Sequence, residues 1–520
     1  MNRLHCASLI AALVAGLASP AAAQAPDAQR IYNDNCAECH GADRLGRMGP
    51  ALLPENLSRL RKKVAQGVIA NGRPATQMPA FGDKLDTTQI KALADLIYSP
   101  LPEVPRWGVS EILASRENIV NPSTLPAAPA YEADPLNLFV VVEGGDHHVT
   151  ILDGDRFEPL ARFPSRFSLH GGAKFSPDGR FTYLASRDGW VTKYDLYSLQ
   201  VVGEVRAGIN TRNIAVSGDG RYVAVANYLP HNLVILDAAD LKPVKVIPIA
   251  SLQGKSSRAS AVYTAYPRKS FVVALKDVPE MWEISYEDQP PARFAGFVHS
   301  FEKGQEEGAE VERFPVRRIE LSGPLDDFFF DQAYREVFGS SRGGDHAVVV
   351  QMDVGREIAQ VPLPGMPHLG SGITFDYQGR RVLATPHLKD GKVSVIDMKT
   401  WKVIKVIDTD GPGFFMRSHE NSPYAWVDVF FGPKRDEMYI IDKRTLKIVK
   451  TLRPVPGKTS AHIEFTRDGR YALLSIWDMD GAIIVYDMKT LEEVKRIPFV
   501  KPVGKYNVWN KITHSEGTSH

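Results

Sequence analysis

Cysteine is scarce in this chain, with three residues among 520, at positions 6, 36 and 39. So few thiols exclude a disulfide-stapled scaffold and any zinc site built from two cysteine pairs. Long apolar runs are lacking too: the stretch 7–18 falls short of the roughly 20 residues that a spanning helix needs. An excess of one charge is also missing. Lys and Arg number 62 against 61 Asp and Glu, a formal net charge of +1, which gives no footprint for nucleic acid or an acidic membrane surface. What is present is 44% hydrophobic residues, typical of a soluble globular protein, on a chain too long for one ordinary domain.

The N-terminus combines Arg3, the short apolar run and Ser19-Pro20-Ala21-Ala22-Ala23-Gln24. A basic start, an apolar middle and an A-x-A site form a secretory signal peptide, residues 1–23, which removes Cys6. Cys36-Ala37-Glu38-Cys39-His40 is C-x-x-C-H, the attachment sequence for a c-type haem. Cys36 and Cys39 supply thioethers to the porphyrin and His40 supplies an axial imidazole. Both mature cysteines are then used, so no structural disulfide is expected. One covalent haem c together with an export signal indicates a bacterial periplasm.

Residues 24–104 read as a small all-α, class I cytochrome c domain. A helix over 28–35 leads into the motif. A second, over 86–98, carries a capping box at Asp86 and Gln89 and places Ile90, Leu93, Ala94 and Ile97 on one face. Between them, the stretch ending Gln77-Met78-Pro79-Ala80-Phe81 resembles the methionine loop of class I cytochromes c. Met78 is therefore the candidate second axial ligand, with Met48 as its rival. Alternatively, Met78 only packs beside the haem.

Residues 105–135 are proline-bearing and aperiodic, and read as a linker that also packs on both domains. From 136 to 520 the chain repeats itself. Ser176-Pro177-Asp178-Gly179-Arg180, Ser217-Gly218-Asp219-Gly220-Arg221, Asp376-Tyr377-Gln378-Gly379-Arg380 and Thr466-Arg467-Asp468-Gly469-Arg470 each precede a strand of alternating apolar residues. Asp-Gly between such runs is a hairpin turn. The spacing from 178 to 219 is 41, and that from 379 to 469 is 90, or two units of 45. A Gly turn per unit at this period indicates a β-propeller, and 385 residues suit eight blades better than seven. Such a fold by itself decides no function.

Loops that enter the innermost strand of a blade face the central channel. His170, His368, His419 and His462 stand at or near such positions, as does Arg212. Any one of these is more often a packed or surface residue, but several from separate blades suggest an iron or acid–base site. Arg187 and Arg212 suit a ligand with several carboxylates. Tyr228 and Trp477 can stack on a flat macrocycle or belong to the core.

With these residues in view, the chain resembles the cytochrome cd1 family across nearly its whole mature length. Pro502-Val503-Gly504-Lys505-Tyr506-Asn507-Val508-Trp509-Asn510 is similar to the family's C-terminal signature. The resemblance implies that His170 is the proximal ligand of a haem d1 iron, and that Arg187 and Arg212 bind d1 carboxylates. One departure matters. Nitrite reductases of the family place two histidines over the distal face of d1. His368 matches the second, but the region of the first, Gly323-Pro324-Leu325-Asp326-Asp327, holds no histidine. The resemblance is therefore to the family's biosynthetic branch, which oxidises a propionate of dihydro-haem d1 to the acrylate of haem d1. It implies a channel base, His368 or His419. It also implies a periplasmic electron acceptor and cytochrome cd1 nitrite reductase as recipient of haem d1. The alternatives are a nitrite reductase with permanent d1 and a non-catalytic d1 carrier.

Overall fold

The computed structural model describes residues 25–47, 49–58, 60–72, 78–103, 105–294, 297–299, 306–308, 312–340 and 345–514. The export segment 1–23, Cys6 and Met48 lie outside the described residues.

The first helix, Ala28–Asn35, starts where the Asp27 carboxylate accepts from the Arg30 amide. It runs into the one-turn helix Ala37–His40 that carries the haem motif. Lys62–Asn71 and Thr87–Ile97 complete the helical domain. The expected capping box is formed: Asp86 accepts from the Thr88 and Gln89 amides, and Gln89 accepts from the Asp86 amide. Ile90, Leu93, Ala94 and Ile97 all turn inward, joining Tyr32, Leu57, Ile69, Phe81 and Leu85 in one core against which Met78 packs.

The remainder is an eight-bladed propeller. Seven of its sheets follow chain order, with inner strands Lys174–Phe175, Asn210–Val216, Ala259–Ala265, Asp327–Phe330, Ile373–Tyr377, Met416–Ser418 and Ser460–Phe465. The eighth joins the two ends of the propeller. Its three outer strands are Phe139–Glu143, His148–Leu152 and Pro159–Pro164, and its innermost strand is Pro502–Asn507, paired antiparallel to Phe139–Glu143. This closure locks the two ends of the ring together and leaves each blade only a short outer edge. The repeated Asp-Gly turns form as expected, with Gly179, Gly220 and Gly469 all at positive φ and each Asp accepting from the amide of the following Arg.

The linker packs on the propeller rather than spanning open solvent. Glu117–Asn118 adds a fifth strand beside Gln200–Arg206. The helix Val109–Ala114 buries Ile112 among Val205, Val223 and Leu236. Ala51 and Leu53 of the helical domain meet Ile209 and Leu229 of the propeller, with Trp107 packed at the edge of the contact. That contact lies on the face from which chain enters the inner strands. The haem motif and the channel mouth are thereby brought to one side of the molecule.

Candidate active site

His40 is 8% exposed and its ring is fixed by a backbone carbonyl. Nδ1 donates to the Pro50 carbonyl at 2.8 Å, which selects the tautomer with its lone pair on Nε2. Burial holds the imidazole below its ordinary pKa, so it is neutral, as a ligand must be. Gly49 is required beside it, because a Cβ there would stand 2.8 Å from the His40 ring. Cys36 and Cys39 are half-buried beside it and form no disulfide with each other. This donor set fits a covalent haem c. Met78 lies at the edge of the same core, within a loop whose residues 73–77 are outside the described part. Met78→Ala is expected to abolish the weak sulfur-to-iron absorption band of the oxidised haem. A band that survives this change would move the ligand elsewhere.

The channel mouth opens into a cavity of about 620 Å³, within the range of cofactor sites. Each of the eight blades contributes to its wall: Tyr506, His170, Arg212, Tyr263, Asp327, His368, Arg417 and His462. Two of these are aimed by β-bulges. The pairing of Asn210–Val216 skips Arg212, and that of Ser460–Phe465 skips His462, whose φ of 53° is left-handed. A bulge turns one extra side chain out of the pleat, here toward the axis.

His170 Nδ1 lies 2.8 Å from the Arg212 carbonyl, and Nε2 lies 2.8 Å from Arg187 Nη2. Arginine only donates, so Nε2 is the acceptor and Nδ1 carries the proton. This is the same arrangement as at His40. Arg187 also sits over the Tyr228 ring at 5.8 Å, and Arg258, paired to Asp277, sits 5.6 Å from the same ring.

His368 donates Nδ1–H to the Phe414 carbonyl at 2.5 Å and stacks on the Phe414 ring. Phe414 is in turn held by its amide, 2.7 Å from buried Asp428, whose carboxyl is raised to about 7 chiefly by burial. Burial also lowers the pKa of His368, while the nearby Asp327 carboxylate opposes that shift. Asp327 is fixed by the Tyr263 hydroxyl and the Gly370 amide, both at 2.9 Å. His462 lies deeper. Burial and the cations Lys505, Arg417 and Lys511 drive it well below the ordinary imidazole value. In the segment 323–327, Asp326 ion-pairs with Lys276.

Of the residues singled out from sequence, His170, Arg212, Tyr228, His368 and Trp477 line the cavity, and Arg187 reaches it through His170. His419 is not brought there. It follows its inner strand, Met416–Ser418, instead of preceding it, and so lies in the hairpin at the opposite end of the blade. It is 0% exposed, accepts from the Asn421 amide and is covered by Gly469 of the next blade. Sequence reasoning missed Arg417, two residues earlier. Its guanidinium is 4% exposed and lines the cavity, with no partner at Nε among the described residues. Counting from the start of the inner strand, as for Arg212, would have found it. Also missed was the aromatic wall of Phe414, Phe415, Phe430 and Phe431, on which Trp477 packs 4.9 Å from Phe430.

A helical haem domain docked at the mouth of an eight-bladed propeller, over a channel of histidines and buried arginines, defines a two-domain haem protein. The chain belongs to the cytochrome D1 heme domain family, which it matches over residues 133–300 and 308–511. Residues 23–97 match the family described as cytochrome c oxidase, cbb3-type, subunit III. The chain is 57% identical to the dihydro-heme d1 dehydrogenase of Pseudomonas aeruginosa, over 98% of this chain and 99% of that protein. It is 25% identical to the nitrite reductase of Stutzerimonas stutzeri, over 97% and 98% of the two chains. A solved structure described as dihydro-heme d1 dehydrogenase NirN in complex with DHE superposes with a TM-score of 0.87. It covers 93% of this chain and 99% of that one at 57% identity.

Proposed function

We propose that the protein is a periplasmic oxidoreductase of haem d1 biosynthesis. It converts a propionate side chain of dihydro-haem d1 to acrylate, –CH2–CH2–CO2⁻ becoming –CH=CH–CO2⁻ with loss of two protons and two electrons. The observation that carries the reading over nitrite reduction lies in the cavity. It presents one imidazole suited to the substrate's iron and one suited to proton abstraction, with the Asp326–Lys276 ion pair where a second distal imidazole would stand. The 57% relative supports the same choice.

Cys36, Cys39, His40 and Met78 would hold haem c, which would supply one-electron acceptance between the substrate and a periplasmic acceptor. The protein's residues do the rest. His170 offers Nε2 to the substrate iron, and its tautomer is set by the Arg212 carbonyl. As that bond forms, Arg187 leaves Nε2 and moves onto a substrate carboxylate. Arg212 and Arg417 hold further carboxylates, and the aromatic wall supports the macrocycle face. This clamping decides which side chain meets the base. His368 Nε2 takes the proton at the side-chain carbon, and Asp327 stabilises the imidazolium. Burial and the surrounding cations make His462 the weaker base of the two. The product then passes to a recipient such as cytochrome cd1 nitrite reductase.

Mass spectrometry of the tetrapyrrole before and after one incubation with oxidised protein tests the reaction. The expected product is lighter by two hydrogens, with haem c reduced in step. Unchanged tetrapyrrole that stays bound would support a carrier, and a purified protein that already holds d1 would support a reductase.

A further inference from the structure

Arg206 ends the outer strand Gln200–Arg206, and its guanidinium is buried, at 6% exposure, where three segments meet. Every hydrogen bond that its side chain makes among the described residues goes to a backbone carbonyl. Nε donates to Asp188 at 2.9 Å in the propeller. Nη1 donates to Gly46 at 3.3 Å and Nη2 to Leu45, both in the helical domain. The guanidinium carbon lies 4.6 Å over the Trp107 ring of the linker, and Trp107 Nε1 donates to the Arg206 carbonyl at 2.8 Å. Its ion-pair partners are not at contact distance: the charges of Asp188 and Asp43 only partly offset the cost of burying it, and the carbonyls take all its hydrogen bonds, an arrangement suited to holding backbone segments together.

The residues at both ends of this bridge point to that role. The Gly46 amide donates to the His40 carbonyl at 2.9 Å, so the loop gripped by Arg206 is tied to the haem ligand. On the other side, Asp188 is adjacent in the chain to Arg187, which bonds His170 Nε2. An unbroken series of covalent and hydrogen bonds therefore runs from His40 through Gly46, Arg206, Asp188 and Arg187 to His170. Asn56, which donates to the Ile209 carbonyl at 3.4 Å, is a weaker second tie between the same two parts.

We propose that Arg206 is the positioning residue that fixes the haem c domain against the channel mouth and so sets the electron route from the propeller site to haem c. The proposal rests on the oxidoreductase reading above. In each of two one-electron events the tetrapyrrole is oxidised and the haem c iron reduced, after which a soluble one-electron acceptor reoxidises it.

The test uses the haem c-loaded full chain, with Arg206→Ala and Arg206→Lys. Lysine keeps the charge but not the fork, and guards against a failure of the alanine variant to fold. Three quantities are measured: deuterium uptake by the peptides covering 42–53 and 105–116, affinity for dihydro-haem d1 by spectral titration, and the rate of haem c reduction after mixing. Uptake in both peptides is expected to rise, with affinity within about twofold of the parent. The reduction rate is expected to fall by on the order of tenfold to a hundredfold, the size of effect that a misplacement of about 1 Å produces. The haem c spectrum is expected to stay unchanged. A parent-like reduction rate in both variants would overturn the proposal, as would parent-like uptake. If the parent protein itself fails to reduce haem c on mixing, the oxidoreductase reading falls, while the uptake data still decide whether Arg206 holds the domains together.

Discussion

His368→Ala is expected to bind dihydro-haem d1 about as well as the parent and to turn it over roughly 10²–10⁴-fold more slowly, the usual worth of a positioned general base. The binding part follows because the proposed iron ligand and carboxylate clamps, His170, Arg212 and Arg417, lie on other blades and are untouched. The rate part follows from the ring's geometry. Nδ1–H is committed to the Phe414 carbonyl, so the lone pair is on Nε2. Burial lowers the ring's pKa from the ordinary 6.5, which favours the neutral form that the proposed base needs. The sign for pH dependence is then fixed. The active form is unprotonated, so turnover is expected to be flat from neutral pH down to the ordinary imidazole value. It falls only as pH drops through the depressed one, and the acid limb vanishes in His368→Ala. His419→Ala serves as the control at the opposite end of its blade, and near-parental turnover is expected there. The outcome that would sink this assignment is the reverse: full activity without His368 and a collapse, with binding intact, without His419.

His170→Ala is expected to give the largest loss of tetrapyrrole affinity of any single change in the channel. The dissociation constant should rise by about tenfold or more, together with a change in the substrate's iron-dependent spectrum. Loss of a mere orienting partner already costs about 10–100-fold at metal sites, and a direct ligand is worth no less. Arg187 provides an internal check. It donates to His170 Nε2, so its removal opens that atom while deleting one proposed carboxylate contact. Spectral titration of His170→Ala that reproduces both the parent affinity and the parent spectrum would assign the iron to another channel residue, with His462 next in line.

Much of the site was legible because its chemistry is local. C-x-x-C-H needs only four spacings to state its ligand set, and Pro50 and Gly49 stand close enough in the chain to complete the surroundings of His40. The capping box at Asp86 and Gln89 is likewise a contact across three residues. The Asp-Gly turns, repeated at a near-constant period, were enough to specify a closed ring of blades, because one blade cannot bury both its faces alone. The position of a residue before an inner strand also placed His170 and His368 on the channel correctly as to face. The same rule, applied to a residue that follows its strand, misplaced His419.

By itself, then, the sequence determined the haem attachment, the two-domain order, the blade count and half of the ring of channel residues, namely His170, Arg212, His368 and His462. Each of these depends on neighbours close in the chain or on simple repetition. The tertiary structure alone decided four things. It supplied the inner strand Pro502–Asn507 to the first blade, and it formed the bulges that turn Arg212 and His462 inward. It gathered Arg417, Asp327 and Tyr263 from three different blades. It also buried Arg206 between domains separated by the whole linker. None of these has a local signature. A bulge exists only relative to a partner strand's register. A buried cation also looks no different in sequence from one of the many arginines on the surface until the carbonyls that receive it are brought together from distant parts of the chain.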